Sequence, residues 1–315
     1  MKKRFPFILL GVAVMAICLV GSGIAAPKKA HLKVGMTVQS ISNPIWAGIC
    51  SETQKDVKAG GGEMTYMACD SNITTQIQQV ENFISSKVDV IVCHPADPKG
   101  IESVLKQARK AGIKVISWDD KLENCDLAYV INNYDLGKMI GEQAANWINK
   151  KLGGKAEVAV LDWPQLPILL ERANGIVDAL KKNAPKAKIV AQQPAIDAAG
   201  GQSKMEAIFQ AHPNVKVVAC IGGGGAVGAN EAAKEANKIS PDFGIFAADA
   251  TEQELQAIKN HEGNRMSVMI TGGPVTMAKE IYGLIKKVAS GQKINKVFYR
   301  KIFPVTIANV GKVPN

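Results

Sequence analysis

The sequence lacks the short motifs by which many catalytic and metal sites are recognised. It has no HExxH pair, no GxSxG nucleophile segment and no CxxC pair, and aromatic residues make up only 5% of the chain. The four histidines are far apart in the sequence: His31, His94, His212 and His261. We therefore expect no catalytic residue, no metal and no cofactor. An exported enzyme stays an alternative without a residue pattern in its favour.

Charge of one sign is not concentrated anywhere, although the formal net charge is +10 at pH 7. Apart from Lys2-Lys3-Arg4 at the N-terminus, the basic residues are scattered among the acidic ones, and no basic run is longer than a pair. A protein that binds nucleic acid needs a clustered basic patch. The charge pattern therefore indicates a solvated surface, and we expect no nucleic-acid partner.

The only long apolar run lies near the N-terminus. Lys2, Lys3 and Arg4 precede an apolar stretch at positions 7–20, which is shorter than the roughly 20 residues of a membrane span. Small residues then offer a cleavage point after Ala25 or Ala26. We predict that residues 1–26 are a signal peptide and that the mature protein is periplasmic. A retained anchor is one alternative, and a lipid on Cys18 is another, although bulky Ile17 precedes that cysteine.

Five cysteines follow the predicted signal peptide: Cys50, Cys69, Cys93, Cys125 and Cys220. An exported protein can form disulfides, but an odd number leaves at least one free thiol. Cys50 lies in the first predicted helix and Cys69 ends the next predicted strand, so the two could meet. Buried free cysteines are the equally weighted alternative.

The chain alternates between apolar strands and amphipathic helices. A strand at Leu32–Val38 is followed by a helix from Pro44 to Ala59, with Asn43 as its predicted N-cap. The same alternation starts again with a helix from Tyr134. Continuous apolar strands with intervening helices predict an α/β fold of parallel sheets covered on both faces. Two doubly wound lobes of five or six strands fit the length better than one large sheet.

Ligands of such folds bind outside the carboxyl ends of the strands. That rule directs attention to polar, aromatic and glycine residues that follow predicted strands. Gly223, Gly225 and Gly228 have GxGxxG spacing, but they lie deep in the chain and no Lys-Ser/Thr follows them. We interpret them as a loop whose backbone approaches a ligand closely. The predicted ligand-binding residues are Asn43, Trp46, Asp119, Asp120, Trp163, Gly222, Gly223 and Asp249.

Several segments, in their order along the chain, resemble the type I periplasmic sugar-binding family, which supplies the substrate-binding subunit of ABC transporters. Together they span about positions 31–310. Part of the chain, from Trp118 to Asn132, is similar to the autoinducer-2 and rhamnose-binding branch. The matching segments are Ser42-Asn43-Pro44-Ile45-Trp46, Gly112–Asp119, Glu171–Ile176, Ala226-Val227-Gly228-Ala229 and Phe246-Ala247-Ala248-Asp249.

The resemblance implies two lobes joined by three crossings, which we place near Asn132, Gly272 and Phe303. The N-terminal lobe would comprise residues 27–132 plus 273–303, and the C-terminal lobe residues 133–272 plus 304–315. A small polar ligand, such as a sugar or polyol, would bind between the lobes and close them. The implied partners are the permease subunits of an ABC importer, and we expect a monomer.

The chain departs from the family at positions that usually read hydroxyl groups. Leu170 stands where the family has an arginine, and Gly222 or a neighbouring glycine stands where it has an asparagine. Gly272 replaces a glutamine, and Ile45 replaces an aromatic residue. Asp119 and Asp249 remain as acceptors of ligand hydrogen bonds, and Trp46 as a stacking surface. Autoinducer-2 and a small cation therefore stay open as ligands. So does a role as a sensor for a chemoreceptor or histidine kinase.

Overall fold

A computed structural model describes residues 31–41, 44–270 and 272–313, without the side chains of Pro44 and Ile45. The predicted signal peptide and the predicted ligand-binding residue Asn43 lie outside the described residues. Twelve strands form within the described part. They are β1 (Lys33–Val38), β2 (Glu63–Ala68), β3 (Val90–Cys93), β4 (Lys114–Trp118), β5 (Leu127–Val130), β6 (Glu157–Asp162), β7 (Lys188–Pro194), β8 (Val215–Cys220), β9 (Gly244–Ala248), β10 (Asn264–Ile270), β11 (Val297–Tyr299) and β12 (Ile302–Thr306).

The helices begin where the sequence supplies a capping group or a proline. The side chain of Asn72 accepts a hydrogen bond from the backbone of Thr75, as expected for an N-cap. Pro167 occupies the first position of its helix. The helices in the described residues are α1 (Pro44–Ala59), α2 (Ile73–Ser85), α3 (Glu102–Lys110), α4 (Asn133–Lys151), α5 (Pro167–Asn183), α6 (Ala198–Ala211), α7 (Gly223–Glu235), α8 (Glu252–Lys259) and α9 (Gly273–Ala289).

The strands form two six-stranded sheets with equivalent strand order. The first has the order β2-β1-β3-β4-β5-β11 and the second the order β7-β6-β8-β9-β10-β12. All pairings are parallel except that of β12 with β10. Parallel sheets need cover on both faces. Side chains of α1 and α9 bury one face of the first sheet, and those of α2 and α3 the other. In the second sheet, α4 and α5 cover one face and α6 and α7 the other. The predicted α/β fold with two parallel-sheet lobes is confirmed.

The chain passes between the sheets three times: after β5, after β10, and between β11 and β12. The first two passages adjoin the predicted positions Asn132 and Gly272. The third falls between Tyr299 and Ile302, before the predicted Phe303. Ile302 and Phe303 already pair with Ile270 and Met269 of the second sheet, so they do not belong to the first. The remaining lobe limits stay a prediction.

The five cysteines at positions 50, 69, 93, 125 and 220 are buried and free, so the structure contains the buried thiols rather than a Cys50–Cys69 disulfide. Burial raises the pKa of the Cys50 thiol to about 12. A thiol with so high a pKa is unreactive near neutral pH. In the part of the chain that the structure covers, no helix combines the length and apolar character needed to cross a bilayer.

Candidate functional site

Asp119 and Asp249 occupy equivalent positions in the two lobes. Asp119 directly follows β4, and Asp249 directly follows β9, which holds the same place in the second sheet. Both have left-handed backbone conformations, with φ of 66° and 89°. Such conformations are unusual outside glycine, and aspartate is one of the residues that tolerates them. The equivalent placement puts one carboxylate at the carboxyl edge of each sheet.

The carboxylate of Asp119 is held by two basic side chains of its surroundings. Arg300 Nη1 donates to Asp119 Oδ1 at 3.1 Å. His94 Nε2 lies 3.5 Å from Asp119 Oδ2. The side chain of Asp119 is 28% exposed, whereas those of Arg300 and His94 are buried. Both oxygens of Asp119 therefore already have partners within the protein.

Arg300 lies in the short segment that links the two sheets. Its backbone N–H donates to the carbonyl of Val130, and its guanidinium contacts the sulfur of Met277 at 3.0 Å. The guanidinium carbon also lies 5.7 Å from the centre of the Tyr129 ring. The Nε atom is buried and has no hydrogen-bond partner among the described residues. The guanidinium of Arg300 thus lies in the segment that links the lobes, and its hydrogen-bonding capacity is only partly used.

His94 lies between two tryptophans. Its ring centre is 4.6 Å from that of Trp46, edge to face, and 4.6 Å from that of Trp118. Burial lowers the pKa of His94, against the opposing effect of the Asp119 charge. His94 Nε2 faces Asp119, and Nδ1 has no hydrogen-bond partner among the residues that the structure describes. Trp118 is fully buried and belongs to the core, whereas Trp46 is only partly buried.

Asp249 is more open than Asp119. Its Oδ2 accepts a hydrogen bond from the backbone N–H of Gly223 at 2.9 Å, and its Oδ1 lies 3.8 Å from Arg172 Nη1. The side chain is 42% exposed. Arg172 is buried and satisfied elsewhere: it donates twice to Asn133 Oδ1 and once to the carbonyl of Ile221. Asp249 therefore keeps lone pairs free for a ligand.

Beside Asp249, helix α8 begins with a buried capping box. The carboxylate of Glu254 accepts hydrogen bonds from the backbone and hydroxyl groups of Thr251, and Thr251 in turn accepts from the Glu254 backbone. Burial, with a further contribution from the Asp249 charge, raises the pKa of Glu254 to about 7. The Oε1 atom of Glu254 has no hydrogen-bond partner in the described part of the chain. Near neutral pH this carboxyl group is close to its titration midpoint.

A cavity of about 820 Å³ lies between residues of the two lobes. From the first lobe and the linking segment come Trp46, residues at the start of α9, and Arg300. From the second lobe come the end of β9, helix α8 and the end of β10. The lining residues are Trp46, Asp249, Ala250, Glu252, Leu255, Gln256, Lys259, Met269, Ile270, Gly273, Pro274, Met277 and Arg300. This volume is in the range of ordinary small-molecule sites.

The predicted site residues divide into two groups. Trp46 and Asp249 line the cavity, and Asp119 contacts the lining residue Arg300. Asp120 and Trp163 are not among the lining residues. Trp163 packs against the apolar core of the second lobe. Asp120 is partly buried, and burial together with the adjacent Asp119 charge raises its pKa.

The glycines do not form the loop expected from their spacing. Gly223 is already the first residue of α7, so Gly223, Gly225 and Gly228 all lie within the helix. A Cβ atom on Gly224 or Gly228 would collide with the carbonyls of Ile196 or Ala198. The glycines thus let α7 pack closely against α6 and the segment before it. The N–H of Gly223 is bound to Asp249, and Gly222 faces that carboxylate.

Sequence reasoning missed Arg300 and the role of Arg172. Arg172 belonged to a recognised segment, but nothing in the sequence showed that its side chain would reach Asn133 and Asp249. Arg300 lies 181 positions from Asp119, and no local pattern connects them. An arginine between two short terminal strands was the only signal. No group of three or more potential metal ligands exists among the residues that the structure describes.

Residues 34–293 match a protein-family model described as a periplasmic binding protein domain. The ribose import binding protein of Bacillus subtilis is 25% identical over 270 residues, covering 85% of each chain. The xylitol-binding protein of Mycolicibacterium smegmatis is 26% identical over 273 residues, covering 85% of this chain and 75% of that one. A solved structure of a solute-binding protein from Burkholderia graminis, in complex with D-arabinose, aligns with a TM-score of 0.73. It is 25% identical and covers 91% of this chain and all of that one.

Proposed function

Because this chain belongs to the periplasmic binding protein family, in its type I, sugar-binding group of ABC transporter subunits, we propose that it captures a small uncharged molecule rich in hydroxyl groups, a sugar or a polyol, and delivers it to an ABC importer. The observation that carries this proposal is the cavity of about 820 Å³ to which both lobes contribute. A ligand there contacts Trp46 and Arg300 on one side and Asp249 on the other.

The charges around the cleft favour an uncharged ligand. Asp119 is paired with Arg300, and Asp249 lies near Arg172. Each strand-end carboxylate thus has an arginine beside it. Neither arginine occupies the position at which the family usually has one, where this chain has Leu170. Hydroxyl groups can donate to such carboxylates without leaving an unpaired charge in the cleft. A small cation would have to compete with the two guanidinium groups.

The stacking surface fits the same class of ligand. Trp46 is partly buried and its ring is fixed edge to face against His94. An indole face suits the apolar C–H face of a sugar ring. The related proteins described above are named for ribose and xylitol, and the related structure contains D-arabinose. These three molecules share several hydroxyl groups on a short carbon chain.

Lobe closure follows from contacts on both sides of the cavity. A ligand stabilises whichever conformation gives it more contacts, so one held by both lobes favours the closed state. The movement would bend the three passages between the sheets. Arg300 lies in one of these passages and contacts Asp119. We infer that it transmits the state of the ligand site to the linking segment.

The test is calorimetric titration with a panel of pentoses, hexoses and their polyols, preceded by thermal-shift screening. For a ligand that binds, Asp249→Asn should weaken affinity about 10–100-fold, since it removes a charge-assisted hydrogen bond of about 1.5–3 kcal/mol. The matched control is Asp242→Asn. Asp242 lies just before the same strand, at its opposite end, and forms a surface ion pair with Lys216.

The control variant should bind like the original protein. Unchanged affinity in Asp249→Asn would overturn the assigned site. If small cations bind and no sugar or polyol in the panel does, the proposed ligand class is wrong.

A further inference from the structure

We propose that the second lobe contains a separate site for a small organic anion, in a cavity of about 430 Å³ at the end of the sheet opposite the cleft. The cavity is bounded by the last turns of α4, the end of α8, the start of β10 and the residues around the end of β12. Its lining residues are Gln143, Asn146, Trp147, Lys150, Lys151, Phe246, Ile258, His261, Asn264, Arg265, Met266, Thr306 and Ile307.

Strand β10 separates this cavity from the cleft. Its first residues, Asn264 to Met266, line the distal cavity, and its last residues, Met269 and Ile270, line the cavity between the lobes. Seven residues of strand extend over roughly 20 Å. The two cavities are therefore distinct, and a ligand in one does not contact a ligand in the other.

The distal cavity is surrounded by basic groups. Lys150, Lys151, His261 and Arg265 line it, and its lining among the described residues includes no aspartate or glutamate. Nearby acidic groups are paired with other lysines: Asp242 with Lys216 at 3.0 Å and Glu262 with Lys234 at 2.6 Å. A concave site lined by positively charged side chains attracts anions.

Two lining residues are arranged to hold a ligand in place. The guanidinium of Arg265 donates to the carbonyls of Phe243 and Ser240 and lies over the Trp147 ring, so its position is fixed without a carboxylate partner. Asn264 is 2% exposed, and neither its side-chain oxygen nor its nitrogen has a hydrogen-bond partner within residues 31–41, 44–270 and 272–313. Buried polar groups are rarely left unpaired, because each costs about 1–3 kcal/mol.

The remaining walls are apolar. Trp147 and Phe246 pack edge to face with ring centres 6.1 Å apart, and Ile258 and Met266 complete this side. A ligand that uses both kinds of wall carries an anionic group, a carboxylate or a phosphate ester, on an apolar body. The volume accommodates a body the size of one aromatic ring.

The experiment uses the whole mature protein and benzoate as the probe, with benzamide as its uncharged counterpart and inorganic phosphate as an anion without an apolar body. Calorimetry should show saturable benzoate binding, at least tenfold tighter than that of benzamide or phosphate. In nitrogen-labelled protein, benzoate should shift the indole N–H signal of Trp147 and leave that of Trp46 in place. Absence of saturable benzoate binding, or equal binding of either counterpart, overturns the proposal.

Paired variants separate a built site from general charge attraction. Lys150→Gln combined with Lys151→Gln should weaken benzoate binding at least tenfold. The control, Lys181→Gln with Lys182→Gln, removes an exposed pair from the last turn of α5 in the same lobe and should have no effect. Equal loss in both pairs overturns the proposal.

Asn264→Leu removes the unpaired amide without adding a polar group to the core, so it should fold normally and bind benzoate at least fivefold more weakly. Unchanged binding in this variant would contradict the role of Asn264. Asp249→Asn should leave benzoate binding intact, which keeps this result separate from the sugar site.

Discussion

The two lobes place an aspartate at the same point of the same strand order and surround it differently. In the first lobe, both carboxylate oxygens of Asp119 face basic groups, Arg300 and His94. In the second, Asp249 has one oxygen on a backbone N–H and the other 3.8 Å from Arg172, and its side chain is more exposed. Equivalent position in the fold therefore does not give equivalent chemistry.

The difference lies in how each arginine is held. Arg172 has acceptors of its own on Asn133 and Ile221, so Asp249 is an additional neighbour. Within the part of the chain that the structure describes, the carboxylate of Asp119 is the only one paired with Arg300. We expect Asp119 to organise the linking segment and Asp249 to be the more available ligand contact. The predictions below test this contrast.

The largest effect is expected for Arg172→Met. This change removes three hydrogen bonds of a buried cation and leaves Asn133 and the Ile221 carbonyl without their donors, so the free energy of unfolding should fall by about 3–4 kcal/mol. Arg300→Met removes one hydrogen bond to a carboxylate and should cost about 2 kcal/mol. Urea denaturation measures both.

The matched control for Arg172→Met is Arg109→Met, which breaks only a surface pair with Asp126. It should change stability by no more than about 0.5–1 kcal/mol. If Arg300→Met lowers the free energy of unfolding more than Arg172→Met does, the proposed difference in how the two arginines are held is wrong.

Much of this fold was predictable from the sequence, because apolar periodicity and capping residues are local signals. The limits of α1, from Pro44 to Ala59, agree with prediction. The error at α7 has a physical reason. Glycine disfavours helix in isolation, and only the close approach of α6 explains glycines in the first turns of α7.

The site was less predictable because its pairs are long-range. Trp46 and Asp249, predicted because strand ends define the cleft edge, line the cavity between the lobes. The guanidinium partners were not, because Arg300 reaches Asp119 only after β11 has joined the first sheet. Trp163 also follows a strand, but it packs against the core and does not line that cavity, so its ligand contact stays a prediction.

The second prediction is that the free energy of unfolding depends on pH through Glu254, which lies beside Asp249 in the second lobe. Burial raises the pKa of Glu254 from 4.5 to about 7, so the folded state retains a proton that the unfolded state releases. Glu254 thus contributes stability below pH 4.5 that is lost as the pH rises through about 7, about 3 kcal/mol in all. Glu254→Gln should abolish this decline in urea denaturation measured from pH 4.5 to 8.5.

The control for that series is Glu252→Gln, an exposed residue of the same helix. It should reproduce the pH dependence of the original protein. A Glu254→Gln variant that follows the same curve as the original would show that Glu254 does not titrate in this range.

The third prediction compares the aspartates directly in the absence of ligand. Asp119→Ala leaves the buried Arg300 without a carboxylate and should lower the free energy of unfolding by about 2 kcal/mol. Asp249→Ala removes the acceptor for the first N–H of α7, which resembles loss of a helix cap, and should cost about 1 kcal/mol. Equal losses, or a larger loss for Asp249→Ala, would contradict the contrast between the lobes.

The smallest effect tests whether the two lobes also differ in how tightly their equivalent helices pack. Helix α9 covers the first sheet and α4 covers the second. A Cβ atom on Gly283 of α9 would meet nothing within 4 Å, whereas one on Gly141 of α4 would collide with the carbonyl of Ile176. Gly283→Ala should therefore raise the free energy of unfolding by about 0.5–1 kcal/mol, because alanine loses less backbone entropy in a helix. Gly141→Ala should have the opposite sign, and a stabilised Gly141→Ala variant in thermal or urea unfolding would show that α4 and α5 can move apart at little cost.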